Sequence, residues 1–197
     1  MDPSALSKAE LQRARRFRFD RDRLRWVGCR TILRRLLAGY LGVEPGRIDL
    51  TTGPNGKPRV AEPGIEFNVS HAGEAAVLAF ALENPVGVDV EQRGRVRDPL
   101  GAAGLVLGRA ELERLRALPI GCREGEFLRS WVRHEAAVKC RGLRLGAPAR
   151  RSELHLIDLE VDPRSVAAVA LERAPVSVLV RDVDPDRTRC RSVEVPA

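Results

Sequence analysis

The chain has 197 residues, with 34 Lys+Arg against 27 Asp+Glu and a net charge of +7, a length that suits one compact domain or two small halves sharing a core. Hydrophobic residues make up 44%, which excludes a chain disordered by composition. The longest apolar run, Ala75 to Leu82, falls far short of the roughly 20 residues a membrane helix needs. The N-terminal stretch is charged and has no apolar signal segment, so a cytoplasmic protein without membrane association is expected.

The charge is uneven. Residues 1–48 carry 12 cations and 5 anions, whereas residues 49–197 carry 22 of each. All the excess positive charge sits in the first quarter, which points to an anionic partner: nucleic acid, an anionic membrane surface or a phosphorylated small molecule. Lysine occurs only at Lys8, Lys57 and Lys139. Cys29, Cys122, Cys140 and Cys190 form no CxxC or Cys/His cluster, which speaks against zinc and for reduced thiols.

Asp22 to Gly42 reads as the first helix, with Leu24, Val27, Leu33, Leu36, Leu37, Tyr40 and Leu41 as its apolar stripe and Gly42 as its stop. The run Gly53-Pro-Asn-Gly-Lys-Pro58 is a dense turn signal. Glu66–His71, Ala75–Leu82 and Val86–Glu91 follow as three short strands, an arrangement that suggests an antiparallel meander. Gln92–Gly104 reads as a connecting loop, Arg109–Leu118 as a short helix and Gly125–Gly142 as a longer one. Leu154–Val161, Val166–Leu171 and Val176–Val183 read as further strands. Helix then strands, twice over, predicts an α+β chain of two similar halves, residues 1–92 and 105–197, about a hinge at 93–104.

Four segments carry candidate chemistry. In Val86-Gly-Val-Asp-Val-Glu91, strand alternation sends the valines toward a core and Gly87, Asp89 and Glu91 to an open face. Two carboxylates so close repel unless a cation holds them, and a hard divalent ion such as Mg²⁺ suits oxygen donors; the alternative is a solvated strand end. In Trp131-Val-Arg-His-Glu-Ala-Ala-Val-Lys139, Glu135 and Lys139 are one turn apart on one face of a largely apolar helix. They form either a surface ion pair or a base or metal ligand beside a phosphate-holding ammonium. Phe67-Asn-Val-Ser-His71 places Ser70 and His71 at a strand end, where both can contact phosphate, although adjacent strand residues point apart and cannot form a catalytic dyad. Asn55-Gly-Lys-Pro58 offers a close backbone approach at Gly56 and a cation at Lys57, but it is no Walker A loop.

In order and spacing, GKP, FNVSH, VGVDVE and WxxxEAxxKxxGL resemble the surfactin-synthetase-activating type of 4'-phosphopantetheinyl transferase, from about Arg16 to Leu145 and more weakly to Val180. The resemblance implies a fold of two similar α/β halves in pseudo-twofold arrangement. It implies transfer of the phosphopantetheine arm of coenzyme A to a serine of an acyl or peptidyl carrier protein, with Mg²⁺ as cofactor and 3',5'-ADP as the other product. By position, Asp89, Glu91 and Glu135 match the metal ligands. Glu135 also matches the residue that takes the serine proton, directly or through water, and Lys139 matches the pyrophosphate contact. Ser70 and His71 match coenzyme A phosphate contacts, and Asn55, Gly56 and Lys57 the segment lining the adenine and 3'-phosphate. Arg25 matches an arginine near the 3'-phosphate, which Arg13 and Arg16 can join. Most other N-terminal arginines, Arg34 included, are then solvated or steering charge.

Three departures from the family pattern stand out. His134 occupies a position usually held by Lys, turned about 100° from the face of Glu135, so catalysis is expected to survive. Asn55 replaces an aromatic near Gly56. The stretch after Gly142 is short enough to lack a hairpin. Trp26, Phe80, Phe127 and Trp131 read as core. Arg93, Arg95 and Arg97 are either solvated or face the acidic helix of a carrier protein. A monomer is expected, and no nucleic-acid partner. An Arg-rich nucleic-acid-binding module is the non-enzymatic alternative, weakened by 4% aromatic content. Another metal-dependent phosphoryl-transfer enzyme leaves the GKP and Ser-His segments unexplained.

Overall fold

The computed structural model describes residues 3–144, 153–183 and 193–195. It parts into two compact units, Met1–Leu50 with Ser177–Ala197, and Thr51–Val176.

In the first unit a short helix, α1 (Lys8–Ala14), precedes a long one, α2 (Asp20–Leu41). α1 opens on a capping box: Ser7 accepts from the Glu10 amide, and Glu10 accepts from the Ser7 amide at 2.9 Å. Ser7-x-x-Glu10 is the sequence signature of this helix start. α2 closes on Gly42 at φ 68°, a left-handed cap that glycine adopts without penalty. Its buried positions are Thr31, Leu33, Arg34, Leu37 and Ala38, while Leu24 and Tyr40 of the expected stripe are exposed.

Arg34 overturns its reading as a solvated charge. It is 2% exposed and donates to Glu10 Oε2 at 2.6 Å, to the Pro45 carbonyl at 2.6 Å and to the Ile48 carbonyl at 3.1 Å. Arg30 reaches Glu10 Oε1 at 3.3 Å. Arg13 and Arg30 both lie over the Trp26 ring, which favours cations on its π face. Part of the N-terminal positive charge is therefore consumed in packing.

The second unit contains the hairpin β3 (Ile65–Ala72) and β4 (Ala75–Leu82), and a three-stranded antiparallel sheet in the order β5 (Val86–Gln92), β7 (Ser165–Leu171), β6 (His155–Leu159). The expected meander stops after β4. β5 hydrogen-bonds to β7 from the far end of the chain, and its link to β3 runs through a side chain: the Val88 amide donates to buried Asn68 Oδ1 at 2.9 Å. Two three-residue strands, β1 (Leu50–Thr52) and β2 (Pro58–Val60), flank the GKP turn and pair. The remaining short pair is β8 (Val178–Val180) with β9 (Val193–Val195).

α3 (Pro99–Val106) begins inside the expected loop, because Asp98 caps it through the Gly101 amide and Pro99 suits its first turn. It is followed by α4 (Arg109–Ala117) and α5 (Ile120–Cys140). α3, α4, α5 and β7 share a core of Ala103, Leu115, Phe127, Leu128, Val132, Val166 and Ala168. The α+β class is as expected, and the stretch suspected of lacking a hairpin falls largely on residues 145–152, outside the described residues.

Candidate active site

The strand-face pattern of β5 is realised. Val86, Val88 and Val90 are at most 1% exposed, and Gly87, Asp89 and Glu91 take the other face. That face is not open, as the sequence reading had it, because α5 covers it. A Cβ on Gly87 would run into the Ala136 carbonyl and the Cys140 backbone, so glycine alone lets the helix lie this close. Trp131, Glu135 and Lys139 are spaced by four along α5, and Lys139 meets Asp89 on the strand face of β5.

Three groups meet at the centre. The Lys139 ammonium lies 2.6 Å from Asp89 Oδ1 and donates to Ser70 Oγ at 3.0 Å, while Ser70 Oγ donates to Asp89 Oδ1 at 2.8 Å. Asp89 is 5% exposed, and its second oxygen, Oδ2, is buried without a hydrogen-bond partner. A buried carboxylate oxygen in that state is costly unless a cation or donor arrives. Glu91, two residues on, has its carboxyl raised above the usual range, first by burial and then by the Asp89 charge. The Trp131 side chain nearby pulls in the opposite direction. Glu135 is buried on α5 at 4% exposure.

This donor set suits a hard divalent ion: Asp89 Oδ2 lacks a partner and Glu91 is held close to a like charge. Among the described residues no three His, Cys, Asp or Glu side chains are gathered tightly enough to enclose a metal on their own. Mg²⁺ typically takes one or two carboxylates plus substrate phosphate and water, and Asp89 with Glu91 fits that pattern.

The other expected residues fall in distinct places. Ser70 is in the central cluster, and His71 beside it is exposed. The GKP turn is tied to the end of α5. Asn55 Nδ2 donates to the Gly142 carbonyl at 2.8 Å, and Lys57 Nζ donates to the carbonyls of Val86 at 2.9 Å and Cys140 at 3.4 Å. Burial lowers the Lys57 pKa. Gly56, at φ 85°, makes the turn. Arg25 is half-buried on α2 in the first unit. Burial raises the Cys140 thiol to about 11, which leaves it unreactive. Trp131, read as core, packs against the core beneath α5 and also lies close enough to Glu91 to influence its carboxyl. Its place four residues before Glu135 was the available signal.

Oxygen donors and an ammonium converging on one strand face are the equipment of an enzyme that transfers a phosphate-bearing group. Two family models match the chain: "4'-phosphopantetheinyl transferase, N-terminal" over residues 3–83, and "4'-phosphopantetheinyl transferase superfamily" over residues 85–187. The chain is 35% identical over 187 residues to the 4'-phosphopantetheinyl transferase HetI of Nostoc sp., covering 85% of this chain and 79% of that one. It is 30% identical to a phosphopantetheinyl transferase of Thraustochytrium sp., covering 78% of this chain and 58% of the relative. It is 29% identical to the human L-aminoadipate-semialdehyde dehydrogenase-phosphopantetheinyl transferase, covering 80% of this chain and 55% of the relative. The chain belongs to the 4'-phosphopantetheinyl transferase superfamily.

Proposed function

We propose that this enzyme moves the phosphopantetheine arm of coenzyme A to a serine of an acyl or peptidyl carrier protein, with Mg²⁺ held by Asp89 and Glu91 and met by Glu135 once ion and substrate phosphate are bound. The observation that carries the reading is the Ser70–Asp89–Lys139 cluster with its unpartnered Asp89 oxygen, in a chain of this family. The carrier serine Oγ attacks the phosphorus that bears the pantetheine. A new P–O bond forms, the P–O bond to the bridging pyrophosphate oxygen breaks, and 3',5'-ADP leaves. Glu135 receives the serine proton, directly or through water.

The chain's own groups divide the work. Lys139 holds pyrophosphate oxygen by charge-assisted hydrogen bonding and moves part of its contact away from Asp89 to do so. Ser70 keeps Asp89 oriented, and His71, exposed beside it, meets coenzyme A phosphate. Asn55, Gly56 and Lys57 serve the nucleotide end, and Arg25 keeps the 3'-phosphate role that its place in the family pattern implies. Lys57 acts there through its grip on two main-chain carbonyls, which fixes the turn bearing Asn55 and Gly56. Bound Mg²⁺ supplies neutralisation of the charge that develops on the pyrophosphate.

The carrier presents an acidic helix, for which Arg93, Arg95 and Arg97 are the nearest candidates in sequence to Glu91. The loop bearing them is anchored, since the Gly94 and Val96 amides both donate to Glu124 Oε1. The chain works as a cytoplasmic monomer built of two related halves, residues 1–92 and 105–197, about the segment 93–104. Incubation with coenzyme A, Mg²⁺ and a panel of apo carrier proteins, followed by mass spectrometry, tests this. At least one carrier gains the arm. A folded enzyme that modifies none of them refutes the reading.

A further inference from the structure

Of the segment Phe67-Asn-Val-Ser-His71, the proposed chemistry uses Ser70 and His71 and leaves Asn68 without a part. Asn68 is 4% exposed on β3, on the same strand face as buried Ser70 two residues on. Its Oδ1 accepts from the Val88 amide of β5 at 2.9 Å, and one residue further along β5 Asp89 Oδ1 accepts from Ser70 Oγ at 2.8 Å. Among the described residues no ladder joins these two strands: β3 pairs with β4, and β5 with β7. In an antiparallel ladder the main-chain groups of successive residues point to alternate sides. Val88 turns its amide away from β7, so the neighbouring Gly87 and Asp89 amides face β7, and Val86 turns its carbonyl outward, where it accepts from Lys57 Nζ at 2.9 Å. The outer edge of β5 is thus met by side chains where a further strand would otherwise lie.

We propose that Asn68 is a positioning residue, which fixes the Val88–Asp89 step of β5 so that Asp89 meets Ser70 and Lys139 through Oδ1 and keeps Oδ2 for a divalent cation. Two bonds from one face of β3, at residues 68 and 70, grip successive residues of β5. Ser70 bonds the carboxylate itself and sets its rotation, whereas Asn68 holds the main chain from which the carboxylate hangs. Burying a carboxamide costs free energy unless its groups are bonded, and a buried N–H that loses its acceptor costs enough to shift the strand that bears it. Holding the main chain orders a ligand before metal arrives, so its loss shows in metal affinity. The role rests on the reading of Asp89 as a Mg²⁺ ligand.

Two measurements on the full chain test it: amide hydrogen exchange of isotope-labelled, metal-free enzyme by NMR, and calorimetric titration of Mg²⁺ into enzyme saturated with coenzyme A. Asn68→Leu keeps the volume and deletes the acceptor. It speeds exchange at Val88 about tenfold more than at Gly87 and Asp89, and it raises the Mg²⁺ dissociation constant about tenfold. Asn68→Ser is milder, because its short hydroxyl leaves room for a bridging water. It moves both readouts the same way by less, and it carries the test where Asn68→Leu does not fold. Transfer rates give the coupling: Asn68→Leu lowers kcat/KM about tenfold in the parent and less than about twofold in an Asp89→Asn background. Parent-like Mg²⁺ affinity in a folded variant whose Val88 amide has lost protection overturns the proposal, as do additive losses in the double variant. So does uniform acceleration of exchange along β5 with Mg²⁺ binding intact, which marks a purely structural residue. A parent that binds coenzyme A but takes up no Mg²⁺ refutes the metal reading and this role with it, an outcome told apart because residue 68 is then unaltered.

Discussion

Two largely buried cation–carboxylate pairs, one in each compact unit, are finished to different degrees. Arg34 and Glu10 are saturated: the guanidinium has a carboxylate and two carbonyls, and the carboxylate also accepts from the Ser7 amide and meets Arg30. Asp89 and Lys139 are not, since Ser70 and Lys139 crowd onto one carboxylate oxygen while the other has no partner. A saturated pair has nothing left to offer a ligand and serves the fold. An unsaturated pair retains binding capacity, and buried groups kept in that condition mark sites of chemistry. The charge type alone does not separate the two, and hydrogen-bond saturation does.

The strongest way to break this contrast is at Asp89. Asp89→Asn removes the charge at nearly constant volume and should cost about a thousandfold in kcat/KM, since the proposed Mg²⁺ role assigns several kcal/mol of charge stabilisation to this carboxylate. Steady-state transfer assays with a carrier that the parent modifies read this directly. Arg34→Ala should behave oppositely. It removes Glu10's closest cation and leaves two carbonyls without their donor, costing about 1–3 kcal/mol of stability, while the folded fraction keeps its turnover; denaturant melts and active-site-normalised rates distinguish the two. Arg34 is accordingly no control for Arg25. The suitable control is Arg21, whose side chain is 78% exposed. Arg25→Ala should weaken coenzyme A binding about tenfold, in line with loss of one charged hydrogen bond, and Arg21→Ala by little, as calorimetry will show.

The smallest effect concerns pH. The Glu91 carboxyl is raised by burial and by Asp89, so in metal-free enzyme its ionisation opposes folding. That cost is absent below the usual carboxylate range and sets in as pH rises toward the raised folded value. Metal-free Glu91→Gln should therefore melt higher than the parent near neutral pH and lose that advantage in acid. Melts in the presence of a chelator, taken across that range, check the sign; an unchanged or lower melting point at neutral pH speaks against it.

How much of this was legible in the residues depends on the range of the interaction. β4 follows from its apolar run and the faces of β5 from local alternation, and Gly42 and Gly56 announce their turns. α3 was hidden because Gly101 and Gly104 look like loop residues, although the Asp98–Pro99 start was readable. The pairing of β5 with β7 was not legible, because it joins strands about eighty residues apart and no local pattern carries partner choice. Ser70, Asp89, Glu91, Glu135 and Lys139 were singled out by motif, and the meeting of Ser70, Asp89 and Lys139 became visible only when β5 and α5 were brought together. Arg34 was misread for the same reason, since Glu10 is distant in sequence and a buried arginine has no local signature.

Gly87 also acts as a gauge for assembly. Side chains alternate along β5, so a slip of one residue would turn Asp89 and Glu91 into the core and bring Val86 or Val88 beneath Ala136 and Cys140. There is no space between strand and helix main chains for even a methyl group at that point. A misaligned strand therefore cannot dock α5 at all, and the two carboxylates reach the helix together or not at all. The absence of one side chain excludes the misregistered sheet, and with it any folded form in which the acidic face points the wrong way.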